Sequence, residues 1–156
     1  MCVCNCEFID AFTPDITVRY VWTTIPKVSV SQQTRGVTLK TIGIVGSRRR
    51  NTSADGAAVY RKFLEICEVG DEIVSGGCPQ GADNFAERIA KVKQVPIKIY
   101  YAEWRRLGRG AGFARNGNIA KDADVLIACV AEDRTGGTED TIKKYQKLGK
   151  TTLFLV

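Results

Sequence analysis

Three times between residue 37 and the C-terminus an apolar, β-branched run ends in a glycine-bearing turn, and the turn opens a helical pattern. Residues 37–45 run into Gly46, residues 72–75 into Gly76 and Gly77, and residues 125–131 into a loop that closes on Gly136 and Gly137. Behind each turn apolar side chains recur at helical spacing: Tyr60, Phe63, Leu64 and Cys67; Ala82, Phe85, Ala86, Ile89 and Ala90; Ile142, Tyr145 and Leu148. A strand that leads into a helix does not meet the next strand as a hairpin, so the helix acts as a crossover and the strands run parallel. Residues 97–101, behind Pro96, and residues 151–156 extend the sheet to about five strands, and residues 113–121 read as a further helix. The expected fold class is α/β, a three-layer sandwich with a mainly parallel sheet over residues 37–156.

Residues 1–36 carry a different pattern. Two β-branched stretches, 16–22 and 27–31, are separated by Pro26 and read as a hairpin or as added edge strands, making a β-rich N-terminal extension. Cys2, Cys4 and Cys6 stand there in C-x-C-x-C spacing. Zinc sites favour C-x2-C pairs completed by a second pair or by histidine, and this chain contains no histidine, so no metal is expected. With neither a secretory leader nor an apolar run of about 20 residues, the expected address is the cytoplasm, with no membrane partner, and six cysteines there do not form a disulfide framework.

The turns carry the chemistry. Glycine lets backbone approach a ligand closely, and the first turn of a helix presents amides without intrahelical acceptors, so residues 73–90 have the layout of a phosphate cradle built on Gly76, Gly77 and Gly81. Gly46 opens a second such turn, Gly46-Ser47-Arg48-Arg49-Arg50-Asn51, in which a backbone amide, Ser47 and a forked guanidinium suit a phosphate; Arg48 is the first choice of the three arginines. Neither G-x-G-x-x-G nor G-x-x-x-x-G-K-[ST] is present. A third turn, Gly136-Gly137-Thr138, begins the last helix. In a parallel sheet these loops all open at the carboxyl edge, where ligands of doubly wound sheets bind. A net charge of +6, with Arg105, Arg106, Arg109 and Arg115 close together, favours an anionic ligand there.

With these residues laid out, the chain from about Thr41 onward resembles the SLOG superfamily, the Rossmann-like group that includes DprA and the LOG-type nucleotide phosphoribohydrolases, and within it the small YspA-related branch. The resemblance rests on G-S-R at residues 46–48, S-G-G-x-x-x-G-A-D at 75–83, A-x-W at 102–104, G-x-x-R-N at 112–116 and G-G-T at 136–138. It implies a Rossmann-like sandwich binding a nucleotide or nucleotide-derived ligand, a nucleoside phosphate or an ADP-ribose type molecule, at Gly46, Ser47, Arg48, Gly76, Gly77, Gly81, Asp83, Trp104, Arg115, Asn116, Gly136, Gly137 and Thr138. No cofactor is implied beyond that ligand. A homodimer is expected by analogy with the LOG branch.

In LOG proteins a P-G-G-x-G-T-x-x-E motif supplies a catalytic glutamate, and an arginine on the preceding helix positions the substrate. Here Gly137 and Thr138 match the second G-T and Arg115 stands in the place of the arginine, but the proline is missing. Asp140 falls at the first of two adjacent acidic positions and Thr141 at the second. Cleavage of an N-glycosidic bond builds oxocarbenium character that a carboxylate stabilises, which makes Asp140 and Glu139, with Arg115, the catalytic candidates and Glu103 a second acid. Acidic residues in a first helical turn also serve the macrodipole without catalysis. Asp83 either binds ligand or caps its helix, and Trp104 either stacks a base or packs. Enzyme activity therefore stays open. The leading expectation is a nucleotide sensor or carrier, followed by a phosphoribohydrolase and then by a DprA-like binder of single-stranded nucleic acid.

Overall fold

Strand β1 (Thr41–Gly46) takes the centre of the sheet because both of its edges are used. In the computed structural model, which describes residues 39–156, it pairs in parallel with β2 (Glu72–Ser75) through Ile42 and Ile73, and with β4 (Val125–Cys129) through Ile44 and Ile127. β3 (Ile97–Ile99) pairs with β2 and β5 (Leu153–Leu155) with β4, giving the order β3-β2-β1-β4-β5 with every pairing parallel. The expected N-terminal strands and the Cys2, Cys4 and Cys6 segment lie outside the described residues.

Strand periodicity sorts the core into two halves. From β1 and β4, Ile42, Ile44, Ile127 and Cys129 face one layer, where they meet Val59 and Phe63 of α1 (Ser53–Ile66) and Phe85, Ala86, Ile89 and Ala90 of α2 (Ala82–Lys93). Val45, Leu126 and Ala128 face the other layer, where they meet Ile119 and Ala120 of α4 (Ala111–Asp122) and Ile142 and Tyr145 of α5 (Gly137–Lys147). Each large aliphatic or aromatic side chain so buried contributes about 1.5–3 kcal/mol. Tyr145 is fully buried, and its hydroxyl lies 2.6 Å from Asp124 O and 3.0 Å from Thr152 O, pinning the entries of β4 and β5 together.

The α/β sandwich expected from the sequence is therefore present, with shorter outer strands. Two helix faces differ in detail. Leu64 is exposed because Val59 and Phe63 with Asp55 define the inner face of α1, and Leu148 is exposed because it lies just past the end of α5. The stretch after β3 holds a short helix, α3 (Trp104–Leu107), and a 3-10 turn (Gly108–Gly110). Among the described residues no helix is long and apolar enough to cross a membrane.

The chain moves outward from β1 to β3 and then returns to the other side of β1 as β4. Its switch point, where a doubly wound sheet opens a crevice, lies between the carboxyl ends of β1 and β4.

Candidate functional site

The loop after β1 is drawn tightly into the crevice. A Cβ on Gly46 would stand 2.6 Å from Ala82 Cβ and 2.8 Å from Cys129 Cβ, so only glycine allows the start of α2 and the end of β4 to close around it. The Ser47 N–H donates to Cys129 O at 2.9 Å, continuing the β1–β4 pairing one residue further. The three arginines then divide. Arg50 donates to Asp55 Oδ1 at 2.6 Å and to Val130 O at 2.8 Å. Arg49 forks onto Asp133 at 2.7 and 2.6 Å. Arg48 is exposed and has no ion-pair partner among the described residues.

The helix starts also divide. Helix α1 is closed by a capping box, with the Asp55 N–H donating to Thr52 Oγ1 at 3.2 Å and the Thr52 N–H donating to Asp55 Oδ2 at 3.0 Å. Burial would raise the Asp55 pKa, but the Thr52 N–H, the Arg50 guanidinium and the Thr52 hydroxyl together hold it below the usual carboxylate range. Helices α2 and α5 begin differently. Their N-cap residues, Gly81 (φ 73°, ψ −152°) and Gly136 (φ 89°, ψ −156°), share a conformation essentially restricted to glycine, and neither helix has a side-chain cap. The first-turn amides of α2 and α5 thus face the carboxyl edge without a side-chain acceptor among the described residues, the arrangement that receives anions.

The loop after β2 is shaped from within. The Gly81 N–H donates to Asn51 Oδ1 at 2.9 Å, and the Cys78 N–H donates to Asp83 Oδ2 at 3.1 Å. Asp83 is 5% exposed, and burial raises its pKa, opposed by the Cys78 N–H and the Arg115 charge. A Cβ on Gly76 would stand 2.8 Å from Asp83 Oδ2 and 2.9 Å from Arg115 Cζ, so the absence of a side chain brings carboxylate and guanidinium together at this turn.

Helix α4 joins the two open turns. Arg115 Nη1 donates to Gly76 O at 3.0 Å and its Nη2 to Asn116 Oδ1 at 3.2 Å, while the Asn116 amide donates to Gly137 O and to Asp140 Oδ2, each at 3.1 Å. Asp140 also accepts from Lys144 Nζ at 2.6 Å. Glu139 is paired with Arg134, and Glu103 with Arg106, whose guanidinium lowers the Glu103 pKa. Thr141 and Thr138 are buried, and Thr141 Oγ1 donates back to Gly137 O at 3.0 Å. Each candidate carboxylate outside the Asp83 turn therefore already has a cation.

Three aromatic side chains stand exposed around this edge: Tyr101 (70%), Trp104 (59%) and Phe113 (56%). The Tyr101 ring lies over Gly77, where a Cβ would come within 2.8 Å of it, and the Trp104 ring lies 3.6 Å from the position of a Cβ on Gly112. Phe113 borders an open depression of about 450 Å³ at the start of α5, with Arg134, Thr135, Gly136, Gly137 and Lys143. Among the described residues no three His, Cys, Asp or Glu side chains converge as a metal site.

The fold is Rossmann-like. Two solved structures share it with this chain. One is the molybdenum cofactor binding protein from the phototrophic bacterium Rippkaea orientalis, similar over 75% of this chain and 76% of its own, with a TM-score of 0.59 and 22% identity. The other is DNA processing protein A from Helicobacter pylori, a protein with a single-stranded DNA binding mode, similar over 74% of this chain and 64% of its own, with a TM-score of 0.58 and 20% identity. No protein-family model and no curated protein matches the sequence.

The structure brings Gly46, Ser47, Gly76, Gly81, Asp83, Arg115, Asn116, Gly137 and Asp140 into one chain of contacts, and leaves Arg48 and Trp104 exposed beside it. Sequence reasoning did not single out Asn51, which holds the N–H of Gly81, or the Arg49–Asp133 pair. Asparagine is common in turns for purely local reasons, so nothing near residue 51 announces a partner 30 positions away.

Proposed function

We propose that this domain binds a nucleotide or nucleotide-derived ligand, of the nucleoside phosphate or ADP-ribose type, at the carboxyl edge of its sheet, and that it does so as a member of the SLOG superfamily near the YspA-related branch. The observation that carries this reading is the contrast between helix starts. Helix α1 is sealed by its own side chains, whereas α2 and α5 begin at two glycines of near-identical conformation with their first-turn amides uncapped. Two anion-receptive turns on one edge, with Arg48, unpaired among the described residues, beside them and exposed Tyr101, Trp104 and Phe113 nearby, match a ligand that joins phosphate to a flat base. Of the two solved structures named above, one is a molybdenum cofactor binding protein and one has a single-stranded DNA binding mode.

Binding is favoured over turnover by the state of the carboxylates. A group that stabilises an oxocarbenium ion needs its charge available, and Glu139, Asp140 and Glu103 each spend theirs on a neighbouring cation. A hydrolase would have to release Asp140 from both Lys144 and Asn116 before using it.

The test is a thermal-shift panel of AMP, ADP-ribose, adenosine and a short single-stranded oligonucleotide at fixed ionic strength, with release of free base followed in parallel. A ligand at 100 times its Kd adds about 2.7 kcal/mol of stability. Stabilisation by AMP or ADP-ribose without base release is the expected result. Stabilisation by the oligonucleotide alone, lost steeply with added salt, would transfer the exposed aromatics and Arg105, Arg106 and Arg109 to a nucleic-acid surface and overturn the mononucleotide reading.

A further inference from the structure

We propose that Arg49 is a phosphoryl-binding arginine of this site and that Asp133 occupies its fork as a built-in competitor for the ligand; the proposal rests on the nucleotide reading above. Arg49 lies in the loop after β1 and Asp133 in the loop after β4, so their contact spans the crevice at the switch point. Both terminal guanidinium nitrogens are engaged, Nη1 with Asp133 Oδ2 at 2.7 Å and Nη2 with Oδ1 at 2.6 Å, and Thr135 Oγ1 donates to the same carboxylate at 2.9 Å. Two parallel N–H···O bonds to a planar pair of oxygens are also the geometry with which arginine holds a phosphoryl group. The carboxylate therefore stands where two oxygens of an anion would be received.

The pair is built to open. Both side chains are about half exposed, 59% for Arg49 and 47% for Asp133, so a ligand reaches the pair and water takes up either partner as it opens. The neighbouring Arg50 is the contrast: its partner Asp55 is buried within the capping box of α1 and its Nη1 holds the carbonyl of Val130, so it cannot leave without unsealing a helix. Arg49 holds no backbone group among the described residues and pays no such penalty. A phosphoryl group with two charges, seated on the uncapped start of α5 three residues beyond Asp133, repels that carboxylate and draws the guanidinium to itself. Thr135, between the two, is positioned to follow Asp133.

Binding of AMP, adenosine and inorganic phosphate is measured by titration calorimetry on the full chain and on Asp133→Asn, Arg49→Gln and the double variant. Removing the competitor tightens AMP about two- to fivefold, the span set by the strength of an exposed pair. Arg49→Gln weakens it about tenfold or more, as loss of a charge-assisted bond does. Inorganic phosphate follows AMP if the phosphoryl group alone is read, and adenosine is unchanged by either substitution. In the double variant AMP binds as it does to Arg49→Gln, because Asp133 acts through Arg49. Unchanged or weaker AMP binding by Asp133→Asn, or a double variant that keeps the whole gain, overturns the proposal while leaving the nucleotide site intact. Failure of all ligands to bind the unsubstituted chain and Asp133→Asn alike overturns both readings. Circular dichroism melts confirm that the variants are folded.

Discussion

Asn116 Nδ2 donates to Asp140 Oδ2 at 3.1 Å across the interface between α4 and α5, and the same nitrogen donates to Gly137 O. With its oxygen accepting from Arg115, this 3%-exposed side chain uses donors and acceptor alike to connect the turn after β2 with the start of α5. Replacing it by leucine removes its bonds to Gly137 O, Asp140 and Arg115, leaving Gly137 O to Thr141 Oγ1 and Arg115 to Gly76 O, and lowers unfolding stability by about 1–3 kcal/mol, read as a shift in urea midpoint. Asn116→Asp costs more than Asn116→Leu at neutral pH, because it sets a second carboxylate against Asp140.

The two N-cap glycines separate backbone strain from crowding. At Gly81 an alanine Cβ would meet Ser47 O at 2.6 Å as well as adopting φ 73°, whereas at Gly136 it would adopt φ 89° with nothing within 4 Å. Gly136→Ala is expected to cost about 1–3 kcal/mol from conformation alone, and Gly81→Ala measurably more. Equal midpoints in chemical denaturation would show that the loop after β1 yields freely.

Asp55 sets a pH dependence with a definite sign. Its folded pKa lies below its unfolded value, so the stability it adds is present above the unfolded pKa and is lost as pH falls through the folded one. The stability gap between the chain and Asp55→Asn is therefore widest at neutral pH and closes in acid. Asp83 acts oppositely: its folded pKa is raised by burial, so its favourable contribution is present below the unfolded pKa and disappears as pH rises through the folded one. Asp83→Asn narrows the acid-to-neutral difference in the other direction, and paired melting curves at several pH values distinguish the two.

Arg48 and Trp104 are exposed, and no ion pair engages Arg48 among the described residues, so their truncation leaves the melting temperature of the free chain within a degree or two while affecting ligand. Arg48→Gln weakens AMP about tenfold and spares adenosine; Trp104→Ala weakens both by a similar factor. A large stability loss in either variant would assign the side chain to packing instead.

Much of the fold was legible because its signals are local. Glycine turns between β-branched runs and helical spacings marked β2 and α2 closely, and the β-run at residues 125–131 contained β4 whole. The Thr52-x-x-Asp55 capping box and the Asp140–Lys144 pair are also local, four residues or fewer apart, and open to the same reading. The exposed Leu64 and Leu148 mark its limit, since helical period alone cannot say where a face ends.

The sequence by itself determined that three glycine turns open on one edge of a parallel sheet, because strand propensity, glycine conformation and crossover handedness act over a few residues at a time. Tertiary structure alone decided which charges remain available there. Arg49 meets Asp133 across 84 positions, Asn116 meets Asp140 across 24 and Arg50 meets Val130 across 80, and these pairings consume two of three neighbouring arginines and a candidate acid while leaving Arg48 exposed. Chemically identical side chains in one loop acquire different roles because long-range packing fixes the partner each one can reach.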